Sequence, residues 1–320
     1  MKYLTSILPV SVLAAGLAAV TFSPAQAEYP EHDIQMYVNG GAGGSTDTGA
    51  RILAHAMEKT LGQPVIVINK PGGGGTKGVV LLSKEKPDGY TIGFSYSHNL
   101  TFAPQYKRPK PLYTLDQFDF IGSITSPKNS IVSLAHRGWS NLKEMVAKLK
   151  SEGKPLTMVY SGGAARLIGH AVAKDFGIEV KIIRVRGGGK SMQRVLGGHV
   201  DVVYTGGAHV PYTEAGKTIV LATVDEERNP AYPKVLTYKE QGGHASATTL
   251  QIVFAPKGLP AAVKAKLAAA VTAASTDPDV VKLFKNNLKM PIRNLKGAAL
   301  DSYLRAEYAR YTDLIKKYDE

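Results

Sequence analysis

Nine residues, Asn39-Gly40-Gly41-Ala42-Gly43-Gly44-Ser45-Thr46-Asp47, separate an apolar run from a helical pattern. Glycines let backbone N–H groups come close to a bound group. The first turn of a helix adds unpaired N–H donors and a partial positive charge. Together they make a cradle for a small anion. The same residues also fit a tight turn into a capped helix, with Asp47 as the N-cap and Arg51 at i+4 to pair with it. The design recurs in Tyr160-Ser161-Gly162-Gly163-Ala164-Ala165-Arg166, in Arg184-Val185-Arg186-Gly187-Gly188-Gly189-Lys190-Ser191 and in Tyr204-Thr205-Gly206-Gly207-Ala208. Four glycine-rich exits from strands favour one shared ligand cleft, and a carboxylate suits short nests of backbone N–H groups.

The candidate ligand contacts follow from these loops. They are Asn39, Gly43, Gly44, Ser45 and Thr46 in the first, Ser161, Gly162, Gly163 and Ala164 in the second, Arg184 in the third, and Thr205 and Gly206 in the fourth. Ser95, Ser97 and His98 follow a further strand and offer side-chain specificity, or ordinary turn packing. Arg166, Arg184 and Arg186 are cations available to additional negative charge. Asp47 is expected to cap its helix and not to touch the ligand.

Other chemistries are poorly served. Gly189-Lys190-Ser191 ends like a phosphate-binding P-loop, but Arg184 stands where that motif needs its first glycine. Thr46 occupies the third glycine position of a dinucleotide fingerprint. No G-x-S-x-G elbow is present, so no catalytic residue is assigned. The eight histidines lack H-E-x-x-H and H-x-x-x-H spacing, so no metal site or cofactor is expected. The absence of cysteine excludes disulfides, thiolate zinc sites, a cysteine nucleophile and a lipid-modified N-terminal cysteine. The excess of 39 Lys+Arg over 26 Asp+Glu gives a net charge of +13. These cations are scattered along helices and not grouped with aromatics, which argues against a nucleic-acid partner.

The elements that must position the loops alternate. Strands are expected at Ile34–Val38, Val65–Ile68, Tyr90–Tyr96, Phe118–Ile124, Ile131–Ala135, Leu156–Tyr160, Val180–Val185, Val200–Tyr204, Ile219–Val224 and Leu250–Phe254. Helices are expected at Asp47–Leu61, Gly78–Lys84, Asn141–Ser151, Ala165–Phe176, Ser191–Leu196, Pro260–Ala274, Pro278–Asn286 and Ala298–Tyr318. Such alternation of Val/Ile-rich strands with helices predicts parallel α/β sheets. The Pro- and charge-rich stretch 104–117 and the irregular stretch 225–249 suggest two lobes with a discontinuous first lobe. The expected division is 28–125 (lobe 1, first part), 126–223 (lobe 2) and 224–320 (lobe 1, return segment and C-terminal helices). In open α/β sheets ligands sit beyond the C-terminal strand ends, so the cleft lies between lobes.

Residues 1–27 read as an export signal: Lys2, the apolar run Ile7–Val20, and Ala25-Gln26-Ala27 as the cleavage site before Glu28. The expected mature protein is soluble, periplasmic, monomeric and not a lipoprotein.

The whole mature chain resembles the Bug family of periplasmic solute-binding receptors of tripartite tricarboxylate transporters (TctC-like). The matching pieces are Gly43-Gly44-Ser45-Thr46-Asp47 with Ala50-Arg51, Leu61-Gly62-Gln63-Pro64-Val65-Ile66-Val67, Asn69-Lys70-Pro71-Gly72-Gly73-Gly74-Gly75 and Pro87-Asp88-Gly89-Tyr90-Thr91. Later come Gly187-Gly188-Gly189, Leu196-Gly197-Gly198-His199-Val200-Asp201, Ala215-Gly216-Lys217, Ala255-Pro256-Lys257-Gly258-Leu259-Pro260 and the helix bearing Glu307. The resemblance implies a type II periplasmic-binding-protein fold, a Venus-flytrap of two α/β lobes with a central cleft. It implies capture of a small di- or tricarboxylate by residues 39–47 and 161–166, without catalysis, and membrane transporter components as partners. The chain departs from the family pattern at Asn39 and Gly41, at Arg184-Val185-Arg186, and at Ala164-Ala165-Arg166. The rival readings are a periplasmic enzyme acting on a carboxylate in the same cleft, and a polyanion-binding protein.

Overall fold

The computed structural model describes residues 28–106, 110–160, 162, 164–185 and 188–319. Among the described residues, ten strands form two five-stranded sheets. The first holds β1 (Ile34–Val38), β2 (Val65–Asn69), β3 (Thr91–Tyr96), β4 (Phe118–Thr125) and the late strand β10 (Gln251–Pro256), in the order β2-β1-β3-β10-β4. The second holds β5 (Ser130–Leu134), β6 (Leu156–Tyr160), β7 (Val180–Arg184), β8 (Val202–Thr205) and β9 (Thr218–Thr223), in the order β7-β6-β8-β5-β9. The helices are α1 (Ser45–Leu61), α2 (Lys77–Leu82), α3 (His98–Thr101), α4 (Leu142–Ser151), α5 (Ala165–Phe176), α6 (Gly188–Leu196), α7 (Val210–Glu214), α8 (Ala261–Thr276), α9 (Pro278–Lys282) and α10 (Gly297–Tyr318).

The sheets are mixed, not parallel as the alternation predicts. β1 pairs in parallel with β2 and β3, and β6 with β7 and β8. β10 runs antiparallel to both β3 and β4, and β5 antiparallel to both β8 and β9. The reason is the path of the chain. β4 ends at Thr125, beside the start of β10 at Gln251. Five residues later Ser130 starts β5, opposite Thr205 and Thr223 at the ends of β8 and β9. A chain crossing directly from one sheet to the other enters at the near end and must run away from it. The same crossings bring the C-terminal ends of the parallel strands of both sheets toward one another.

Each sheet is covered on both faces. Ala50, Leu53, Ala54 and Met57 recur at helical spacing and bury the inner face of α1 with Leu267, Ala270 and Val271 of α8. Val79 and Leu82 of α2 pack on the opposite face with Phe254, Leu300 and Leu304. In the second sheet, Leu142, Met145, Val146 and Leu149 of α4 join Leu167, Ile168, Ala171 and Val172 of α5 on one face. Met192 and Val195 of α6 cover the other. Burying one such Leu, Ile, Val or Met side chain is worth about 1.5–3 kcal/mol.

Two features tie the sheets together. Lys128 and Asp225, both buried, form an ion pair of 3.1 Å where the crossing segments meet. Val224 N–H donates to Asn129 O (2.7 Å), and Asn129 Nδ2 donates to Ala247 O (2.9 Å). The second tie is α10. Its Leu300 and Leu304 belong to the core of the first sheet, while Tyr311, Leu314 and Tyr318 pack into the core of the second. The Tyr318 hydroxyl donates to Asp175 on α5 at 2.9 Å.

Candidate functional site

At the exit of β1 the helix begins earlier than the sequence reading places it. α1 starts at Ser45, and Gly44 is its N-cap, with no side chain capping the helix. This corrects the assignment of Asp47 as N-cap. Asp47 is the third helical residue, and its carboxylate reaches back to accept the Gly43 N–H at 2.9 Å. It also accepts from Asn69 Nδ2 (2.9 Å) and Arg51 Nε (3.1 Å). Burial alone would raise the Asp47 carboxyl. The hydrogen bonds from Arg51, Asn69 and the Gly43 N–H outweigh it and hold the group below the ordinary carboxylate value. Gly43 itself has φ +74, a left-handed conformation that glycine adopts without strain. A methyl group built on Gly41 or Gly43 would meet nothing within 4 Å, so open space borders the loop.

The consequence is a set of free donors. The Gly44 N–H goes to Gly41 O and the Thr48 N–H to Gly44 O. Among the described residues, the N–H groups of Ser45, Thr46 and Asp47 have no acceptor. They lie at the positive end of a 17-residue helix. The exit of β6 is built alike. α5 starts at Ala165 with Ala164 as its N-cap and no side-chain cap. Ala164 is buried against the core of the second sheet, and Gly162 is half-buried with open space around it. Ser161 and Gly163 lie outside the described residues, as does Arg186. Arg166 is half-buried in the first turn of α5.

The exit of β3 differs. Ser95 is fully buried and accepts from Asn39 Nδ2 (3.0 Å) and Asn99 Nδ2 (2.9 Å). Asn39, also buried, donates to Gly75 O at 2.8 Å. Ser97 is fully buried; its Oγ accepts the Leu250 N–H at 3.0 Å and donates to Glu307 Oε1 at 3.0 Å. Glu307 takes a second hydroxyl, that of Thr101, at 3.0 Å. Burial pushes its carboxyl up to about 7, against the opposing pull of Arg310 and these two hydroxyls. Asn39, Ser95 and Ser97 are thus buried in the wall at this exit: both Asn39 Nδ2 bonds and the Ser97 hydroxyl are made within the protein, while Asn39 Oδ1 has no partner among the described residues.

His98 is half-buried. Its Nδ1 faces Thr249 Oγ1 at 3.3 Å, and burial lowers its pKa to about 4, so the ring is neutral at pH 7. It stacks on Tyr96, with ring centroids 5.5 Å apart at 14°. Tyr96 is the residue that the sequence reading missed. Its hydroxyl is 3.0 Å from Ser45 Oγ. A methyl group built on Gly206 would sit 3.9 Å from the same hydroxyl, so Tyr96 links the two sheets' exits. The two-residue alternation of a strand is the signal that could have revealed it: Ser95 and Ser97 share one face, and Tyr96 takes the other. Thr205 is buried at the end of β8. Arg184 is exposed at the end of the edge strand β7. Among the described residues no group of three His, Asp or Glu could hold a metal ion, and no helix is long and apolar enough to cross a membrane.

Comparison with known proteins places this arrangement. A family model described as "Tripartite tricarboxylate transporter family receptor" matches residues 49–319. The chain belongs to this receptor family. It is 33% identical over 300 residues to the UPF0065 protein in gbd 5'region of Cupriavidus necator, covering 89% of this chain and 83% of that one. Among solved structures it is similar to the periplasmic binding protein BugD, with a TM-score of 0.81 and 28% identity over 91% of this chain and 99% of BugD. It is also similar to MatC from Rhodopseudomonas palustris with bound malate, with a TM-score of 0.80 and 25% identity over 90% of this chain and 100% of that chain. The receptor family and its structures are solute-binding proteins, not enzymes, and their two-lobed architecture is the one described here.

Proposed function

We propose that the chain is an extracytoplasmic solute-binding protein that captures a small di- or tricarboxylate for the membrane components of a tripartite tricarboxylate transporter. One observation carries the reading: α1 and α5, at facing ends of two sheets, both begin without a side-chain cap. One ligand carboxylate docks on the N–H groups of Ser45 and Thr46, beside Gly43 and Gly44. A second acidic group meets the loop Ser161–Ala164, with Thr205 and Gly206 alongside and Arg184 toward the rim. The bound MatC relative supports a carboxylate as the ligand class. Closure follows from the ligand's higher affinity for the closed arrangement.

The lobes proposed are 28–125 with 224–320, and 126–223; the end of α10 docks across onto the second. Residues 1–27 act as the export signal, cleaved before Glu28, and the mature protein works as a periplasmic monomer without a nucleic-acid partner. A thermal-shift panel of organic acids tests the function, because a specific ligand raises apparent stability by mass action. The expected result is a rise with one or a few carboxylates that grows with ligand concentration. No rise with any acid of a broad panel would contradict the reading.

A further inference from the structure

We propose that Tyr96 gauges ligand length in the cleft, admitting diacids with a two-carbon spacer and rejecting those with a four-carbon spacer. The inference rests on the carboxylate reading above. Tyr96 ends β3 with its side chain on the face opposite Ser95 and Ser97. Three contacts hold the phenol in place. Its ring stacks on the neutral His98, which Thr249 orients. Its hydroxyl pairs with Ser45 Oγ at 3.0 Å, in the turn that presents the free N–H groups. The side chains of Gln251 and Thr46 also approach that hydroxyl.

Across the cleft, Gly206 leaves room for the phenol and for little more, since a single methyl there would already come within 3.9 Å of the hydroxyl. Gly207 is tighter still, because a methyl there would meet Leu288 O at 2.9 Å. The Tyr96 phenol therefore occupies the direct line from the first turn of α1 to Gly206 at the exit of β8. A ligand docked on Ser45 and Thr46 that reaches toward Gly206 meets the phenol, so its second acid group must lie close to the first.

The hydroxyl pair also supplies recognition. Each hydroxyl has one hydrogen; one is used within the pair, and the other remains to donate. Gln251 Nε2, fully buried beside this pair, has no acceptor among the described residues.

The test is calorimetric titration of the full mature chain with succinate and adipate, for wild type, Y96F, Y96A and G206A. Wild type is expected to prefer succinate at least tenfold. Y96A should lose succinate affinity, gain adipate affinity and bring the ratio near one. Y96F should keep the ratio while weakening succinate threefold to tenfold. G206A narrows the same space from the other lobe and should raise the ratio, which keeps the inference testable if Y96A fails to fold. An unchanged ratio in Y96A and G206A, or a wild type that takes adipate as well as succinate, overturns the inference and leaves the carboxylate reading standing. So does a wild type that binds other acids but neither of these. A wild type that binds no acid overturns both.

Discussion

The exits of β1 and β3 lie side by side in one sheet, and both are rich in small polar residues, yet they do opposite work. At the β1 exit the backbone N–H groups of Ser45, Thr46 and Asp47 are left without acceptors among the described residues, and an exposed glycine loop surrounds them. At the β3 exit Ser95 and Ser97 are completely buried, and their hydroxyls are matched to Asn39, Asn99, Glu307 and the Leu250 N–H. In the proposed reading the ligand site is made where the fold withholds partners, not where hydroxyls are most abundant. A buried, satisfied hydroxyl cannot turn to a ligand without leaving its partner unpaired, at a cost of about 1–3 kcal/mol.

The comparison can be attacked first through Glu307, where the largest effect is expected. Its carboxyl titrates near 7 in the fold, above its ordinary value of 4.5. The folded chain therefore holds a proton that the unfolded chain releases, and stability falls as pH rises through this window. Between pH 5 and pH 8 wild type should lose roughly 2–3 kcal/mol relative to E307Q, which cannot titrate. Denaturant unfolding at the two pH values reads this directly; parallel pH profiles would mean that the β3 exit is not organised around this carboxyl.

Ser97→Ala probes the same region more gently. It strands the Leu250 N–H and removes one donor from Glu307, so unfolding free energy should drop by about 1–3 kcal/mol. Affinity for the acid should change less than twofold, as titration of the refolded variant would show. A tenfold loss of affinity at full stability would return Ser97 to the ligand.

Asp47→Ala moves the test to the β1 exit. It frees the Gly43 N–H and removes the acceptor shared by Asn69 and Arg51, at a cost of about 1–2 kcal/mol in stability. Because the loop that carries the free donors loosens, affinity should fall along with the melting temperature. Loss of stability with unchanged affinity would separate the loop from the ligand.

The fold was largely legible because it rests on periodicity. The apolar strand Ile34–Val38 and the α1 face Ala50, Leu53, Ala54, Met57 could be recognised from sequence pattern alone. Strand direction was not legible, since β5 and β10 carry the same Val/Ile-rich composition as their parallel neighbours and differ only in where the chain enters the sheet. The short helices α3 and α7 were missed because four or five residues give no helical period. At the candidate site, the glycines of the first and fourth loops do follow β1 and β8, because glycine at a strand exit has a backbone meaning. The burial of Ser97 was not legible, because its partner Glu307 lies 210 residues away in sequence. Tyr96 reads as one more strand aromatic until the opposing Gly206 is placed against it. The N-cap was placed three residues late, at Asp47 where Gly44 stands: the Asp47 carboxylate reaches backward to Gly43 and not forward into the helix.

The central claim is that backbone N–H groups at an uncapped helix start hold the ligand, and Ser45→Pro tests it most directly. Proline is well accommodated at the first position of a helix, and the extended Gly44 (φ −82, ψ 164) suits a following proline, so the change deletes the Ser45 N–H with little damage to the fold. Ser45→Ala is the control for the lost hydroxyl. With the best acid from the panel, titration should show about tenfold weaker binding by S45P than by S45A, equivalent to about 1.4 kcal/mol. Equal affinities for the two variants, both folded, would contradict the account.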